Sequence, residues 1–328
     1  MRLGALLLAL SALVVALFLA SLVIGPAGIG PGEGLSALFS DEGAAGMVMR
    51  EIRLPRALLG LMVGAALGLS GAAMQGFLRN PLAEPGLIGT SASAALGAVI
   101  SIHTGLYAAF ALALPLAALA GAVASVLLIL LLAGPRGQAL SLILAGIAVS
   151  ALAAALTSLV LNLSPNPYAA SEIVFWLMGS LADRSMLHVG LTAPFLVAGG
   201  AALLTLGRGL DALTLGEDAA ASLGVNLRRL RLTLVLGTAA LIGAATAVAG
   251  AVGFVGLVVP HLLRRTVGAR PSALLPASAL GGAAMILAAD ILTRVITPER
   301  DLKLGVLTAL VGAPFFLHLV RKMGREGL

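Results

Sequence analysis

Between Glu84 and Glu172 the sequence holds one charged residue, Arg136, in 87 positions. A soluble globule needs a polar exterior, and charged residues make up about 25% of typical soluble domains. Further runs without Asp, Glu, Lys or Arg cover 3–32, 57–78, 185–207, 232–263 and 304–320. Over the 328 residues the hydrophobic share is 60% and the charged share 10%. At about 20 residues per helical crossing of a ~30 Å hydrocarbon core, this composition accommodates about ten spans. Soluble, secreted, fibrous and disordered classes are excluded. The 41 Gly, against nine Phe, two Tyr and one Trp, predict helices that pack through small residues. With no Cys, disulfide frameworks, thiolate nucleophiles and Fe–S sites are excluded as well.

The expected fold is all-α and polytopic, a single membrane domain over 1–328. Spans are expected near 4–24, 57–78, 87–103, 107–133, 139–162, 187–206, 229–251, 253–263, 273–296 and 304–321. His103-Thr104-Gly105 and Gly134-Pro135-Arg136-Gly137 read as turns. Pro165-Asn166-Pro167 ends the fifth span, and 164–186 reads as an outer loop with a short helix at 170–181 around Trp176. Arg2 before an apolar run also fits an export signal. The run is about twice the length of a signal's apolar core, so a retained helix is expected. Basic loops stay cytoplasmic. With an even number of spans and the N-terminus inside, thirteen of the twenty Lys and Arg lie on the cytoplasmic side, and both termini are cytoplasmic. The other seven include Arg50, Arg53 and Arg56, a cluster against the rule that asks for a partner.

Gly60, Gly64 and Gly68 recur every fourth residue, as do Gly89, Ser93 and Gly97. The spacing predicts side-chain-free stripes for close helix approach; the plain alternative is that glycine is common in membrane helices.

Several segments carry a resemblance. R-L-P-R-A-L-L-G (53–60) runs into S-G-A-A-M-Q-G-F-L-R-N-P-L-A-E-P-G-L-I-G (70–89). F-W-L-M-G-S-L (175–181), L-G-E-D-A-A-A-S-L-G-V (215–225), G-F-V-G-L-V-V-P-H-L-L-R (253–264) and G-V-L-T-A-L-V-G-A-P-F-F (305–316) follow. Together they resemble, in order, the FecCD-like permeases of ABC importers for iron chelates, haem and vitamin B12. The resemblance implies a ten-helix permease similar to that of the vitamin B12 importer, a type II ABC importer, in the bacterial cytoplasmic (inner) membrane. It implies as partners a second permease copy in a homodimer, two ABC ATPase subunits, and a periplasmic or lipid-anchored substrate-binding protein. No nucleic acid is implied. The chain has no G-x-x-x-x-G-K-[ST] loop to cradle ATP. It is expected to be no enzyme and to bind no cofactor, with ATP used by the partner ATPase.

Within the inner loop 208–228, Leu215, Ala219, Ala220 and Leu223 can share one side of a short helix. Glu217 and Asp218 suit its N-terminus, and Gly224 stops it. The resemblance makes this the coupling segment, with Glu217, Asp218, Ala221, Leu223 and Gly224 touching the ATPase. The bland alternative is a connector lying on lipid headgroups. In the vitamin B12 importers of the family, the arginines matching Arg53, Arg56 and Arg294 dock acidic residues of the binding protein, a role suited to bidentate, permanently charged guanidinium. The alternative is snorkelling to water, and for Arg294 an in-helix pair with Asp290.

The resemblance also points to an inner gate at Asn80, Leu82, Ala139 and Leu140, through which cargo must pass without being gripped. One departure is D-L-K-L-G (301–305), with Lys303 where the family has a proline, while Pro298 lies nearby. Asp290 is the carboxylate set well inside a predicted span, so an ion-coupled carrier stands as an alternative. Its place near the helix end, beside Arg294, argues against a midplane relay. His103, His188, His261 and His318 are scattered, which gives neither a metal site nor a catalytic residue. The expected cargo is an iron–siderophore complex, with haem or a corrinoid as the alternative.

Overall fold

The computed structural model describes residues 3–25, 28–39, 43–134, 139–164, 167–297 and 302–326, and among these every regular element is helical. The chain opens with α1 (Leu3–Val23), two short helices α2 (Pro31–Ala37) and α3 (Ala44–Met47), a π-helical turn at Val48–Arg53, and the long α4 (Leu54–Leu78). Next come α5 (Thr90–His103), α6 (Ala113–Ala133), α7 (Ala139–Asn162), α8 (Pro167–Leu177) and α9 (Met186–Thr205). The remainder is α10 (Gly207–Leu213), α11 (Glu217–Ser222), α12 (Leu227–Ala249), α13 (Val255–Arg264), α14 (Pro271–Ile296) and α15 (Leu304–Glu326).

Among the described residues seven helices are long and apolar enough to cross a bilayer, and Thr90–His103, Val255–Arg264 and Leu304–Leu319 are shorter apolar helices. These account for the ten expected segments, with corrections. The span expected at 107–133 is helical only from Ala113, after a 3-10 turn at Leu106–Ala108. The span expected from 87 begins at Thr90. At 1.5 Å per residue the 14 residues of α5 and 10 of α13 reach only about 21 and 15 Å, so neither crosses the core alone. The short outer helix runs over 167–177 rather than 170–181, because Gly179 turns the chain at φ +76°. The helices between 31 and 47 carried too few residues to show a period. Arg2, the 135–137 part of the Gly134–Gly137 turn, Pro165, Asn166, Pro298 and Asp301 lie outside the described residues.

α4 is the central post. Within its most apolar stretch 78% of residues are buried, against 22% for α1 and for α7. A β-carbon at Gly64 would strike the backbone of Gly282 and Ala283, and one at Gly68 the Ser278 carbonyl. Gly282 in turn faces the Gly64 carbonyl. α4 and α14 therefore touch backbone to backbone, as membrane helices do where small residues align. Gly60, one turn earlier, faces the side-chain ends of Leu287 and Leu181. Gly97 and Gly121 make the equivalent approach between α5 and α6.

α14 begins beside the C-terminal end of α4, where Gly76 lies against Pro271 and Leu210. Asp211 of α10 holds that start, accepting the Ser272 N–H at 2.8 Å and its hydroxyl at 2.6 Å. α12 and α13 are one hairpin broken inside the bundle. Gly250 (φ +71°) has no room for a side chain against Trp176 O, and Phe254 sits in the left-handed region at φ +68°. Gly71, the 18th of the 25 residues of α4, faces Gly256, so α13 starts beside the last third of the post.

Candidate functional site

At the end where α4 begins, three arginines and one aspartate converge. Arg56 grips Asp290 through Nε (2.9 and 3.2 Å) and Nη2 (2.9 Å), and Arg294 reaches the other carboxylate oxygen at 3.0 Å. Arg294 also donates to Ser21 O (2.9 Å), Ile24 O (2.6 Å) and Ser21 Oγ (2.7 Å). Arg53 donates to Leu22 O (2.9 Å) and Val23 O (2.8 Å). These carbonyls end α1, where a helix has no internal donors and its dipole favours cations. Of the three arginines expected to face a partner, Arg53 and Arg294 therefore point inward and cap α1, while Arg56 is held by Asp290. Arg53 is 4% exposed, so it does not snorkel to water either. The Arg56 side chain keeps 18% exposure and that of Arg294 7%. The in-helix pairing of Arg294 with Asp290 is present, but it is shared with Arg56 across two helices.

At the opposite end of α4, α10 and α11 make a compact double turn. α11 starts after Gly216 (φ +108°) with Glu217 and Asp218 in its first turn. It closes at Gly224 (φ +85°), where Gly224 N–H bonds Ala221 O at 2.9 Å and Val225 N–H bonds Ala220 O at 3.0 Å. Arg231 reaches Glu217 at 3.2 Å. Leu215 and Leu223 are exposed, as are Asp218, Ala221 and Gly224. Ala220 is the correction: it is buried in the core, so it does not share a side with Leu215 and Leu223.

The turn after α4 lies at this same end. Arg79 ends the helix in the left-handed region (φ +49°), and Asn80 shapes the turn by accepting the Leu82 N–H at its side chain (2.9 Å). Leu140 stands exposed at the start of α7, which packs against Gly89 through Gly146 and Val149. Ala139 opens α7, and its side chain lies outside the described residues. The four gate candidates thus divide between two elements.

Sequence reading missed Glu84, whose carboxylate accepts the Phe254 N–H at 3.1 Å where α13 begins. Glu84 lines a cavity of about 120 Å³ with Ser91, Thr246 and residues 250–254. Gln75, wholly buried, was missed too; it bonds α13 and Arg264. The available signals were the N-P-L-A-E-P turn and the glycine-rich stretch before Phe254, but one sequence cannot pair them.

α15 starts directly after Lys303, with Leu304 N–H bonded to Gly179 O at 2.9 Å and the Lys303 ammonium 5.5 Å from the centre of the Phe175 ring. A lysine thus occupies the helix start without displacing it. At the same end Glu172 raises the Tyr107 hydroxyl above its ordinary pKa by its charge and by a hydrogen bond. His261 stacks edge-on to Phe315 at 5.6 Å, and His188 accepts the Ser185 N–H at the start of α9. Among the described residues no three His, Asp or Glu stand close enough to hold a metal.

The FecCD transport family model matches residues 13–322. The cobalamin import system permease of Halobacterium salinarum is 41% identical over 286 residues, 86% of this chain and 76% of the relative. The hemin transport permease of Yersinia pestis is 39% identical over 295 residues, 88% and 87% of the two chains. The Fe(3+)-citrate import permease of Bacillus subtilis is 37% identical over 324 residues, 97% and 95%. A solved inward-facing structure assigned to the metal-chelate type of ABC transporter superposes with a TM-score of 0.86 at 34% identity, covering 97% of this chain and 99% of the other.

Proposed function

The chain belongs to the FecCD transport family, permeases of importers for metal chelates, haem or vitamin B12, and we propose that this one carries an iron–siderophore-type chelate inward across the bacterial cytoplasmic membrane. Haem or a corrinoid is the alternative cargo. The chain itself is a transport subunit, and hydrolysis belongs to a separate ATPase. Its complex pairs two copies of this chain with two ATPases and a periplasmic or lipid-anchored binding protein. Both termini face the cytoplasm, and the chain needs no cofactor of its own.

One observation carries the reading furthest. α11 projects Asp218, Ala221 and Leu223 from a backbone closed at both ends by left-handed glycines, with Leu223 66% exposed. A fixed apolar tip flanked by acid suits a protein groove better than a headgroup layer, whose anionic lipids would repel Glu217 and Asp218. Glu217, Asp218, Ala221, Leu223 and Gly224 are the ATPase contact. The binding protein docks at the opposite end, where Arg56 is the most exposed of the three arginines. Asn80, Leu82, Ala139 and Leu140 form the inner gate. An ion-coupled cycle is disfavoured, since the Asp290 carboxylate is held by two guanidinium groups.

The test is co-purification of an ATPase with the tagged chain. Stimulation of the reconstituted complex by its binding protein, loaded in turn with a ferric siderophore, haem and a corrinoid, then identifies the cargo. Transport by the chain alone along an ion gradient would overturn the importer reading.

A further inference from the structure

The turn carrying Asn80 and Leu82 is held on both flanks by one neighbour, α13. On the near flank Gln75 donates through Nε2 to Gly256 O (3.4 Å) and Leu257 O (3.3 Å), and its Oε1 accepts from Arg264 Nη2 at 2.9 Å. On the far flank Glu84 accepts the Phe254 N–H at 3.1 Å. α13 depends on both contacts. Pro260 has no N–H, so the Gly256 carbonyl lacks its i+4 donor, and the Gln75 amide stands in for it. The Phe254 N–H lies at the start of the helix, where donors have no internal partner and negative charge is favoured. The segment 75–84 thus grips α13 at its start, along its first turn and at its end.

We propose that α13 and residues 75–84 move as one body, with Gln75 and Glu84 as the positioning residues that carry the gate turn whenever α13 moves. The inference rests on the importer reading and on the assignment of Asn80 and Leu82 to the gate. α13 leads through Arg264 and a short turn into α14, whose start is held by Asp211 of α10, six residues before the start of α11. A displacement of the coupling segment therefore reaches the gate turn through a contiguous series of bonded contacts, the kind of network that carries coupling between distant sites.

The experiment uses the complete complex, with its ATPase and binding protein, in liposomes holding a ferric siderophore. Glu84→Ala and Gln75→Leu are each expected to raise passive leak of the chelate about tenfold, the population shift expected from losing one charge-assisted hydrogen bond. Chelate imported per ATP hydrolysed falls by a similar factor, while ATPase co-purification is unchanged. Glu84→Gln keeps a carbonyl for the Phe254 N–H and restores most of both properties, and the double variant leaks no more than the worse single one. Wild-type leak and wild-type import per ATP in both single variants would overturn the proposal.

Should the variants fail to fold, spin labels at Leu82→Cys and Leu262→Cys decide the matter in the otherwise cysteine-free chain, since Leu262 is exposed. The expected result is one distance in nucleotide-free and ATP-bound states; a shift between them refutes the single body. If the unmodified complex imports neither the ferric siderophore nor haem nor a corrinoid, the importer reading falls, and the label distance still tests the clamp.

Discussion

Replacing Asp290 by asparagine removes the one negative charge among three guanidinium groups while keeping shape and an acceptor oxygen. The carboxylate is 1% exposed and accepts from Arg56 at 2.9 Å and from Arg294 at 3.0 Å. Each charge-assisted contact is worth about 1.5–3 kcal/mol, and breaking a buried pair by removing one partner costs about 3–5 kcal/mol. The two figures describe the same loss, so the expected destabilisation is about 3–5 kcal/mol rather than their sum. At roughly 2 °C per kcal/mol for a chain of this size, the melting temperature should fall by about 6–10 °C. The assay is thermal unfolding of the purified protein in detergent at one fixed heating rate, since such unfolding is commonly irreversible. Arg56→Gln and the double variant complete a cycle in which the double loses less than the two singles combined, because Arg56 no longer faces the missing carboxylate and only Arg294 is left to do so. Salt should alter the result little, as buried pairs are weakly screened. An Asp290→Asn protein melting within about 1 °C of its parent would refute the reasoning.

Gly68→Leu should drive α4 from α14, because its first side-chain carbon already meets the Ser278 carbonyl; overpacking of this kind costs about 1–3 kcal/mol or more and would show as loss of the monodisperse elution peak. Gly60→Ala, facing only leucine and isoleucine side-chain ends, should elute unchanged. Leu223→Asp should leave melting within about 0.5 kcal/mol of the parent, as exposed substitutions do, yet abolish ATPase co-purification. Asp211→Ala should cost about 1–2 kcal/mol, the range for a lost helix-start cap, and is read as a lower melting temperature restored by Asp211→Asn.

The apolar segments were legible because a hydrocarbon solvent leaves a simple record: long uncharged runs, with cations gathered at one set of loops. The glycine series announced close contact but not its partner; that α14 supplies it through Ser278 and Gly282 depends on long-range packing. The bounds of α11 could be read because its start and stop are local chemistry, Glu217 and Asp218 at one end and Gly224 at the other. The inward contacts of two arginines were not legible, because the terminal carbonyls of α1 want donors and hold Arg53 and Arg294 from another part of the chain. Gln75 and Glu84 were illegible because their meaning lies in Pro260 and Phe254, about 170 to 185 positions away.

The contact between α4 and α14 has a mechanical consequence. Packed helices commonly slide past one another by letting interdigitated side chains hop between rotamers. Where Gly64, Gly68, Ser278 and Gly282 meet, backbone rests on backbone and there is little to hop. Shear along this seam is blocked, so α4 up to Gly68 and α14 from Ser278 onward form a strut of constant length and angle, with Gln75 and Pro271 lying beyond its end. Alternating access must then be achieved around the strut, by elements that present side chains to their neighbours.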